Sequence, residues 1–273
     1  MPRLIIDENR CIRCDTCADG CVLGIIERTT DATFPHMAEG MEELCLKCGH
    51  CEACCPRGAL VLDFLREEKL PPRPQEGTLT PDQLVPYLKM RRSVRHFAPG
   101  TIPRDTITGL LDVARYAASG GNQQPVRWLV VSGDAEVRRI AELTIDWMRT
   151  LPGTDHPLAP YISFVIAKWD AGEDPICYRA PHLLFAHVPH FETSDGATEA
   201  VIAMTHVDLA APAFGVGTCW AGFVKMAVDA YAPLQAALAL PEDRSLGCAM
   251  LLGLPLHPPV CIPRRNPAGI TWR

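Results

Sequence analysis

Cysteine is concentrated near the start of this sequence, and this limits what the chain can fold into. Nine of its thirteen cysteines lie between Cys11 and Cys55. Eight of the nine form two runs with the same spacing, Cys11-x2-Cys14-x2-Cys17-x3-Cys21 and Cys45-x2-Cys48-x2-Cys51-x3-Cys55. A segment of about sixty residues with only short apolar stretches cannot bury a sufficient core, so we expect bound metal to stabilise it.

The two runs resemble those of bacterial ferredoxins that hold two 4Fe-4S clusters. The second run has the trailing proline of that pattern, Pro56, whereas the first has Val22 instead. In two-cluster ferredoxins the fourth cysteine of each run binds the other cluster. The resemblance therefore implies one cluster on Cys11, Cys14, Cys17 and Cys55, and a second on Cys45, Cys48, Cys51 and Cys21. Two structural zinc sites are the alternative, because CxxC pairs also suit tetrahedral zinc. Cys54 is interpreted as a buried bystander.

Charge and hydropathy exclude several classes of partner. The net charge of -6 and the pI near 5.8 give no long-range attraction to nucleic acid or to an anionic membrane. The first apolar stretch is too short for a signal peptide, and no stretch is long enough to span a membrane. We therefore expect a cytoplasmic protein, in whose reducing environment clustered cysteines bind metal rather than form disulfides.

The periodicity of the chain indicates two domains joined by a linker. Residues 1–65 are the cysteine-rich domain, residues 66–79 a proline-rich linker, and residues 80–273 a second domain. In the second domain, Thr80 followed by Pro81 is typical of a helix start. Helical patterns cover 103–118, 135–151 and 195–214, and apolar runs predict strands at 128–131, 162–167, 183–188 and 249–254. The mixture predicts an α+β fold, and Gly215-Val-Gly217 lacks the third glycine of a dinucleotide-binding fingerprint.

Three polar segments of the second domain suit a flavin nucleotide. Arg91, Arg92, Ser93 and Arg95 follow the first helix, and Arg264 with Arg265 form a late basic pair; guanidinium groups match phosphate oxygens well. Ser119, Asn122 and Gln124 lie in a glycine turn before a strand. Amides both donate and accept hydrogen bonds, as the edge of a flavin ring requires.

These segments, with the late Gly215-x-Gly217-Thr218-x-Trp220 motif, resemble the nitroreductase family of FMN enzymes over residues 80–273. The resemblance implies a mixed sheet flanked by helices and an obligate homodimer with FMN at its interface. It implies that the FMN phosphate binds to the basic groups and that the ring lies against the glycine turn and the late motif. The residues implied to bind FMN are Arg91, Arg92, Ser93, Arg95, Phe97, Ser119, Asn122, Gln124, Gly217, Thr218, Arg264 and Arg265.

Together the two domains predict an oxidoreductase in which two 4Fe-4S clusters exchange single electrons with FMN. A low-potential donor such as a ferredoxin would supply the electrons, and a nitroaromatic, quinone or activated alkene would accept a hydride from flavin N5. No side chain is assigned a catalytic role. The alternatives are a non-catalytic electron carrier and a ferredoxin-linked dehydrogenase running in the oxidative direction. Cys219 is interpreted as a core residue, and His182, His187 and His190 as satisfied or surface histidines rather than metal ligands.

Overall fold

The computed structural model describes residues 2–64, 79–190 and 196–273. The chain divides into two compact units, one formed by 1–78 with 120–123 and the other by 79–119 with 124–273. Apart from its last residue, the predicted linker 66–79 lies outside the described residues, as does the predicted first residue of the helix at 195–214.

The first unit is built from short elements. In chain order these are β1 (Leu4–Ile6), α1 (Thr16–Asp19), β2 (Ile26–Glu27), β3 (His36–Met37), α2 (His50–Ala53) and β4 (Leu60–Leu62). β1 pairs with β4 and β2 with β3, both antiparallel. The β1–β4 ladder brings the two ends of the cysteine-rich segment side by side. Its small core includes two of the run cysteines, Cys17 and Cys51, packed with Ile25, Ile26, Leu60 and Leu62.

The second unit mixes helices with longer strands, as the sequence predicts. Its elements are α3 (Pro81–Met90), α4 (Arg104–Ala114), β5 (Arg127–Ser132), α5 (Asp134–Arg149), α6 (Ala159–Asp170), β6 (His182–Pro189), α7 (Gly196–Ala210), β7 (Gly217–Trp220), α8 (Gly222–Ala230), α9 (Ala232–Leu238) and β8 (Arg244–Gly253). No helix in the described ranges is both long enough and apolar enough to cross a membrane.

One four-stranded sheet, in the order β5-β6-β8-β7, organises this unit. All three strand pairs are antiparallel. The prediction of a mixed sheet is therefore wrong for these four strands, and a parallel component among the described residues is limited to a bridge between Ser93 and Thr218. The mixed sheet was implied by the family resemblance, whereas each of these four strands runs antiparallel to its neighbours.

Both faces of the sheet are covered, and this explains the apolar runs at 183–186 in β6 and 246–252 in β8. Leu183 and Phe185 pack with α5, α6, α8 and α9 on one face, whereas Leu184 and Ala186 pack with α4 and α7 on the other. Successive side chains of a strand point to opposite faces, so a strand buried on both sides needs apolar residues at every position.

The apolar run at 162–167 was predicted as a strand but lies within helix α6. Ile162 and Val165, three residues apart, are the buried positions, while Tyr161 and Phe164 are more than half exposed. The apolar residues at exposed positions conceal the helical period, so the segment looks continuously apolar in sequence. Neither the length of this apolar run nor its periodicity distinguishes a buried strand from a helix.

Helix α3 begins where its sequence predicts and ends just before the basic segment. The side-chain oxygen of Gln83 accepts a hydrogen bond from the Thr80 amide at 3.1 Å, which satisfies a donor at the helix start. The helix ends at Met90, and Arg91 already has a non-helical backbone with φ −54° and ψ 129°. After the helix ends, the arginine segment runs beside strand β7, where Ser93 forms a bridge with Thr218.

A buried histidine at the start of β6 is fixed in one tautomer. His182 Nε2 accepts a hydrogen bond from the Ile102 amide at 2.9 Å, so the ring proton resides on Nδ1, which lies 2.9 Å from Ser132 Oγ. The side chain is 4% exposed, and burial lowers its pKa below the ordinary 6.5. Protonation of Nε2 would remove the bond to Ile102.

This tautomer predicts a pH-dependent loss of stability. Below about pH 6.5 the unfolded chain takes up a proton on His182 that the folded chain resists, so stability falls as the pH falls through that value. Replacing His182 with glutamine places an oxygen near Nε2 that cannot titrate. We expect thermal unfolding midpoints to depend less on pH between about 7 and 5 in His182→Gln than in the wild type. Equal slopes would contradict the assigned tautomer.

Candidate functional site

Four cysteines of the first unit line one cavity. Cys11, Cys14, Cys17 and Cys55 surround an empty volume of about 350 Å³, together with apolar residues such as Ile6 and Leu60. Three of these cysteines come from the first run, and the fourth comes from the end of the second. The β1–β4 ladder explains this arrangement, because it carries Cys55 back beside the residues that follow β1.

A second cavity of about 400 Å³ mirrors the first. Its walls contain Cys45, Cys48 and Cys51 from the second run and Cys21 from the first, with Ile25, Ile26 and Met37 among the apolar residues. The two cavities therefore contain the two cysteine sets that the ferredoxin resemblance implies. Each set crosses from one run to the other.

The two runs also share their backbone geometry. Arg13 and Lys47, each just before the second cysteine of its run, have φ values of 54° and 53°. Asp15 and Gly49, each just after it, have φ values of 57° and 73°. Left-handed residues of this kind gather backbone amides into concave nests, which are a common feature of Fe–S sites. The repeated turn shape follows from the repeated spacing, although glycine occurs at one of the four positions only.

The innermost thiols are strongly shielded from water. Burial, followed by the negative charge of Glu52 and then by Cys48 and Cys45, raises the pKa of Cys51 to about 12. Burial likewise raises the pKa of Cys17, which also interacts with Cys55 and Cys11. Within the described part of the chain, no three Cys, His, Asp or Glu side chains meet as the ligands of a single ion do. The thiols stand around cavities instead.

Cys54 is set apart from its neighbour Cys55. Its sulfur lies 3.5 Å from the Thr16 carbonyl oxygen and 3.7 Å from that of Cys51, and the side chain is partly buried. Among the described residues that line the two cavities, Cys54 does not occur. The interpretation of Cys54 as a buried bystander is therefore borne out only in part for its burial, and its lack of a ligand role stays a prediction.

In the second unit, the arginine segment and the late glycine motif lie side by side. Ser93 forms a parallel bridge with Thr218, and the Val94 amide donates to the Thr218 carbonyl at 2.8 Å. Gly217 allows this approach, because a Cβ at that position would lie 2.8 Å from a methyl group of Val94. Two motifs separated by more than a hundred residues thus form one surface.

Three arginines converge on this surface. Arg91 Nη1 and Arg92 Nε are covered from solvent, and neither has a hydrogen-bond partner among the described atoms. Burial, followed by the positive charges of Arg265 and Arg91, lowers the pKa of the Arg92 guanidinium. The cluster therefore contains repelling cations and unsatisfied donors, and both features favour the binding of an anion.

Two other basic residues predicted to bind FMN, Arg95 and Arg264, have different surroundings from those of Arg91 and Arg92. The Arg95 guanidinium lies 5.9 Å from the centroid of the Tyr178 ring, a cation–π distance. Arg264 is exposed, and its carbonyl accepts a hydrogen bond from Arg265 Nη1 at 3.1 Å. Of the late pair, Arg265 is the member whose charge acts on Arg92.

The glycine turn is held by hydrogen bonds that the sequence did not indicate. Within the second unit, Ser119 Oγ accepts from the Gln124 amide at 2.9 Å, and Arg127 Nη1 donates to the Gln124 carbonyl at 3.0 Å. Arg244 Nη2 donates to the Pro125 carbonyl at 2.7 Å. Asn122 is grouped with the first unit, where its amide donates to the carbonyls of Leu46 and Lys47 at 3.3 and 3.0 Å.

Sequence reasoning also missed Asp208, which contacts both the arginine segment and the late glycine motif. It is a buried acid on helix α7, and its oxygens contact Thr218, Trp220 and Arg91. The available signal was a carboxylate flanked by the apolar residues Val207 and Leu209 near the end of the predicted helix. Such a residue is rarely buried unless it is paired.

Comparisons with known proteins identify the class. Residues 88–254 match the model of the nitroreductase family, which is more than half of the chain. The chain therefore belongs to the nitroreductase family, and the protein is an oxidoreductase. No curated protein sequence matches it significantly.

Solved structures show the same fold at low sequence identity. A nitroreductase with bound FMN from Bacteroides fragilis is 21% identical, with a TM-score of 0.56 over 68% of this chain and 96% of that one. A nitroreductase with bound FMN from Desulfitobacterium hafniense is 19% identical, with a TM-score of 0.56 and the same coverage. A BluB-like flavoprotein from Clostridium difficile is 19% identical, with a TM-score of 0.55 over 66% of this chain and 93% of that one.

Proposed function

We propose that this nitroreductase-family protein is an iron-sulfur flavoprotein. In this proposal two 4Fe-4S clusters in the first unit exchange single electrons with FMN in the second, and the flavin reduces a small electrophile such as a nitroaromatic, a quinone or an activated alkene. The observation that carries it is the pair of cavities with four cysteines each, in the same chain as the nitroreductase fold.

The cysteine cavities suit clusters. Each cavity offers four thiols, as a 4Fe-4S cluster requires, and each fourth thiol comes from the other run, as in two-cluster ferredoxins. Buried thiols with raised pKa values must lose their protons to bind iron, and a bound metal ion drives that deprotonation. When bound, the clusters supply one-electron transfer. The chain supplies the eight thiolates and the apolar walls that keep water away.

The arginine cluster suits the phosphate of FMN. A phosphate dianion would supply acceptors for Arg91 Nη1 and Arg92 Nε and would relieve the repulsion between Arg92 and Arg265. Ser93 and Thr218 flank the same surface. The two nitroreductase structures described above contain FMN, which supports the same cofactor here.

The remaining predicted residues would orient the flavin ring. When bound, FMN accepts electrons singly and delivers a hydride from N5, chemistry that belongs to the cofactor. Ser119 and Gln124 belong to a turn whose carbonyls are held by Arg127 and Arg244, so the turn is rigid before any ligand arrives. A preorganised turn loses little entropy on binding and holds the reacting ring at a fixed angle.

A homodimer and a protein electron donor complete the proposal. The described C-terminal segment leaves large apolar side chains in water, among them Val260 at 92% and Trp272 at 88% exposure. Burial of such residues against a second subunit would explain their presence. A low-potential one-electron carrier such as a ferredoxin suits clusters that accept electrons singly.

The first test is the cofactor content of protein isolated without oxygen. We expect a brown protein with about eight irons, about eight sulfides and one FMN per chain. Isolation of a colourless protein loaded with zinc would contradict the cluster assignment.

The second test distinguishes electron transfer from the clusters to the flavin from the reaction of the reduced flavin with its substrate. The matched variant is the double substitution Cys21→Ser and Cys55→Ser, which removes one proposed thiolate from each cavity and leaves the second unit unchanged. We expect a reduced ferredoxin to reduce the flavin quickly in the wild type and at least tenfold more slowly in the variant, whereas a nitroaromatic reoxidises chemically reduced flavin equally in both. Reoxidation by protein acceptors alone would favour an electron carrier over an enzyme.

A further inference from the structure

The carboxylate of Asp208 is an unusual group in its surroundings. The residue is 4% exposed on helix α7, whose other buried positions are Gly196, Ala200, Ala203, Met204 and Val207. Asp208 Oδ1 accepts a hydrogen bond from Thr218 Oγ1 at 2.5 Å, and Oδ2 accepts one from Trp220 Nε1 at 3.0 Å. A buried carboxylate is costly unless it is paired, so these contacts show a built arrangement.

A third contact connects Asp208 with the arginine cluster. Arg91 Nη1 lies 3.5 Å from Asp208 Oδ2, close enough for charge attraction but too far for a strong hydrogen bond. The same nitrogen is covered from solvent and has no hydrogen-bond partner among the described atoms. Asp208 therefore attracts the Arg91 guanidinium by its charge. Arg91 Nη1 can still donate a hydrogen bond to another acceptor.

We propose that Asp208 is the positioning residue of the cofactor-phosphate site. It acts through Arg91, whose guanidinium it holds over the surface formed by Ser93 and Thr218, and through Thr218, whose hydroxyl it orients. This inference rests on the proposed function, because the anion is the phosphate of FMN. Asp208 does not contact the phosphate itself.

Two weaker roles for Asp208 make different predictions. If the carboxylate only fastens β7 to α7, its loss should disturb the whole flavin pocket and weaken every flavin alike. If it acts on the phosphate only as a like charge, its removal should strengthen FMN binding. A positioning residue that acts through Arg91 should affect the phosphate-bearing ligand alone.

The test measures the dissociation constants of FMN and riboflavin for flavin-depleted full-length protein, with flavin fluorescence as the signal. We expect Asp208→Asn to weaken FMN binding at least tenfold, the approximate loss of one charge-assisted contact, and to change riboflavin binding less than twofold. Asp112→Asn, an exposed acid paired with Arg115 at 2.6 Å, is the matched control and should change neither constant.

A double-mutant cycle tests the route through Arg91. In an Arg91→Ala background, Asp208→Asn should weaken FMN binding much less than it does in the wild type, because the guanidinium that Asp208 positions is gone and only its contact with Thr218 is left. Additive losses would overturn the inference, as would equal weakening of riboflavin or tighter binding of FMN by Asp208→Asn.

Asp208→Glu keeps the buried charge and covers the case in which Asp208→Asn does not fold. It shifts the carboxylate by one methylene and should also weaken FMN binding selectively; an unchanged ratio of the two constants would overturn the inference. A wild-type protein that does not prefer FMN to riboflavin would overturn the proposed function itself. The FMN and riboflavin dissociation constants of the wild type are enough to detect failure of the proposed function, because they do not depend on any Asp208 variant.

Discussion

Replacing Cys55 with serine is expected to reduce the iron content of the anaerobically isolated chain from about eight atoms to about four. Cys55 belongs to the second cysteine run but lines the cavity of Cys11, Cys14 and Cys17. A serine hydroxyl is a harder and much less acidic ligand than a thiol, so it replaces a thiolate on iron poorly. The cluster lost should be the one held by the first run.

The matched control is the adjacent residue. Cys54→Ser makes the same chemical change one position earlier, at a thiol that packs against the carbonyls of Thr16 and Cys51. We expect this variant to retain about eight irons and the wild-type visible spectrum. Iron and sulfide analysis of both variants provides the measurement. Loss of iron from Cys54→Ser with retention in Cys55→Ser would show that the ligand sets have been assigned wrongly.

The mirror-image substitution makes the test stricter. Cys21 belongs to the first run but lines the cavity of Cys45, Cys48 and Cys51. Cys21→Ser should therefore also leave about four irons, held by the other cavity. Because a single substitution leaves about four irons under either pairing, the crossing is tested by combining Cys14→Ser with Cys55→Ser. About four irons should remain if both thiols bind one cluster, and almost none if each binds the cluster of its own run.

The grouping of the cysteines around two cavities could be predicted from sequence, because it depends on local spacing and on a known pattern. Cys11 to Cys21 and Cys45 to Cys55 repeat the same intervals, and the repeated left-handed turns at Arg13 and Lys47 follow from them. The convergence of Arg91, Arg92 and Arg265 was predicted less directly. That prediction depended on the order of the motifs, and in the structure a parallel bridge joins Ser93 of the arginine segment to Thr218.

What the sequence concealed was the pairing of groups far apart in the chain. The partners of His182 are Ile102 and Ser132, and neither has a pattern that predicts the contact. Asp208 shares helix α7 with another carboxylate, Glu199, and its role depends on its contacts with Thr218 and Arg91. Tertiary neighbours give such residues their role, so periodicity alone does not reveal them.

Gly247→Ala is expected to destabilise the second unit strongly. A Cβ at position 247 of strand β8 would lie 2.2 Å from the Cβ of Ala200 on helix α7 and 3.4 Å from the carbonyl oxygen of Ala186. Overpacking of a core typically costs about 1–3 kcal/mol, and we expect the upper end because a Cβ cannot rotate away. Thermal unfolding of this unit should shift downward by roughly 5–10 °C.

A control and a suppressor make the steric origin testable. Gly222→Ala, at the start of α8, adds the same methyl where no described atom lies within 4 Å, and its midpoint should change by about 1 °C or less. Ala200→Gly removes the methyl that the new side chain meets. Alone it should cost about 1 kcal/mol as a glycine within a helix, but in the Gly247→Ala background it should restore stability. If the two costs simply add, the close approach of β8 to α7 at these residues is wrong.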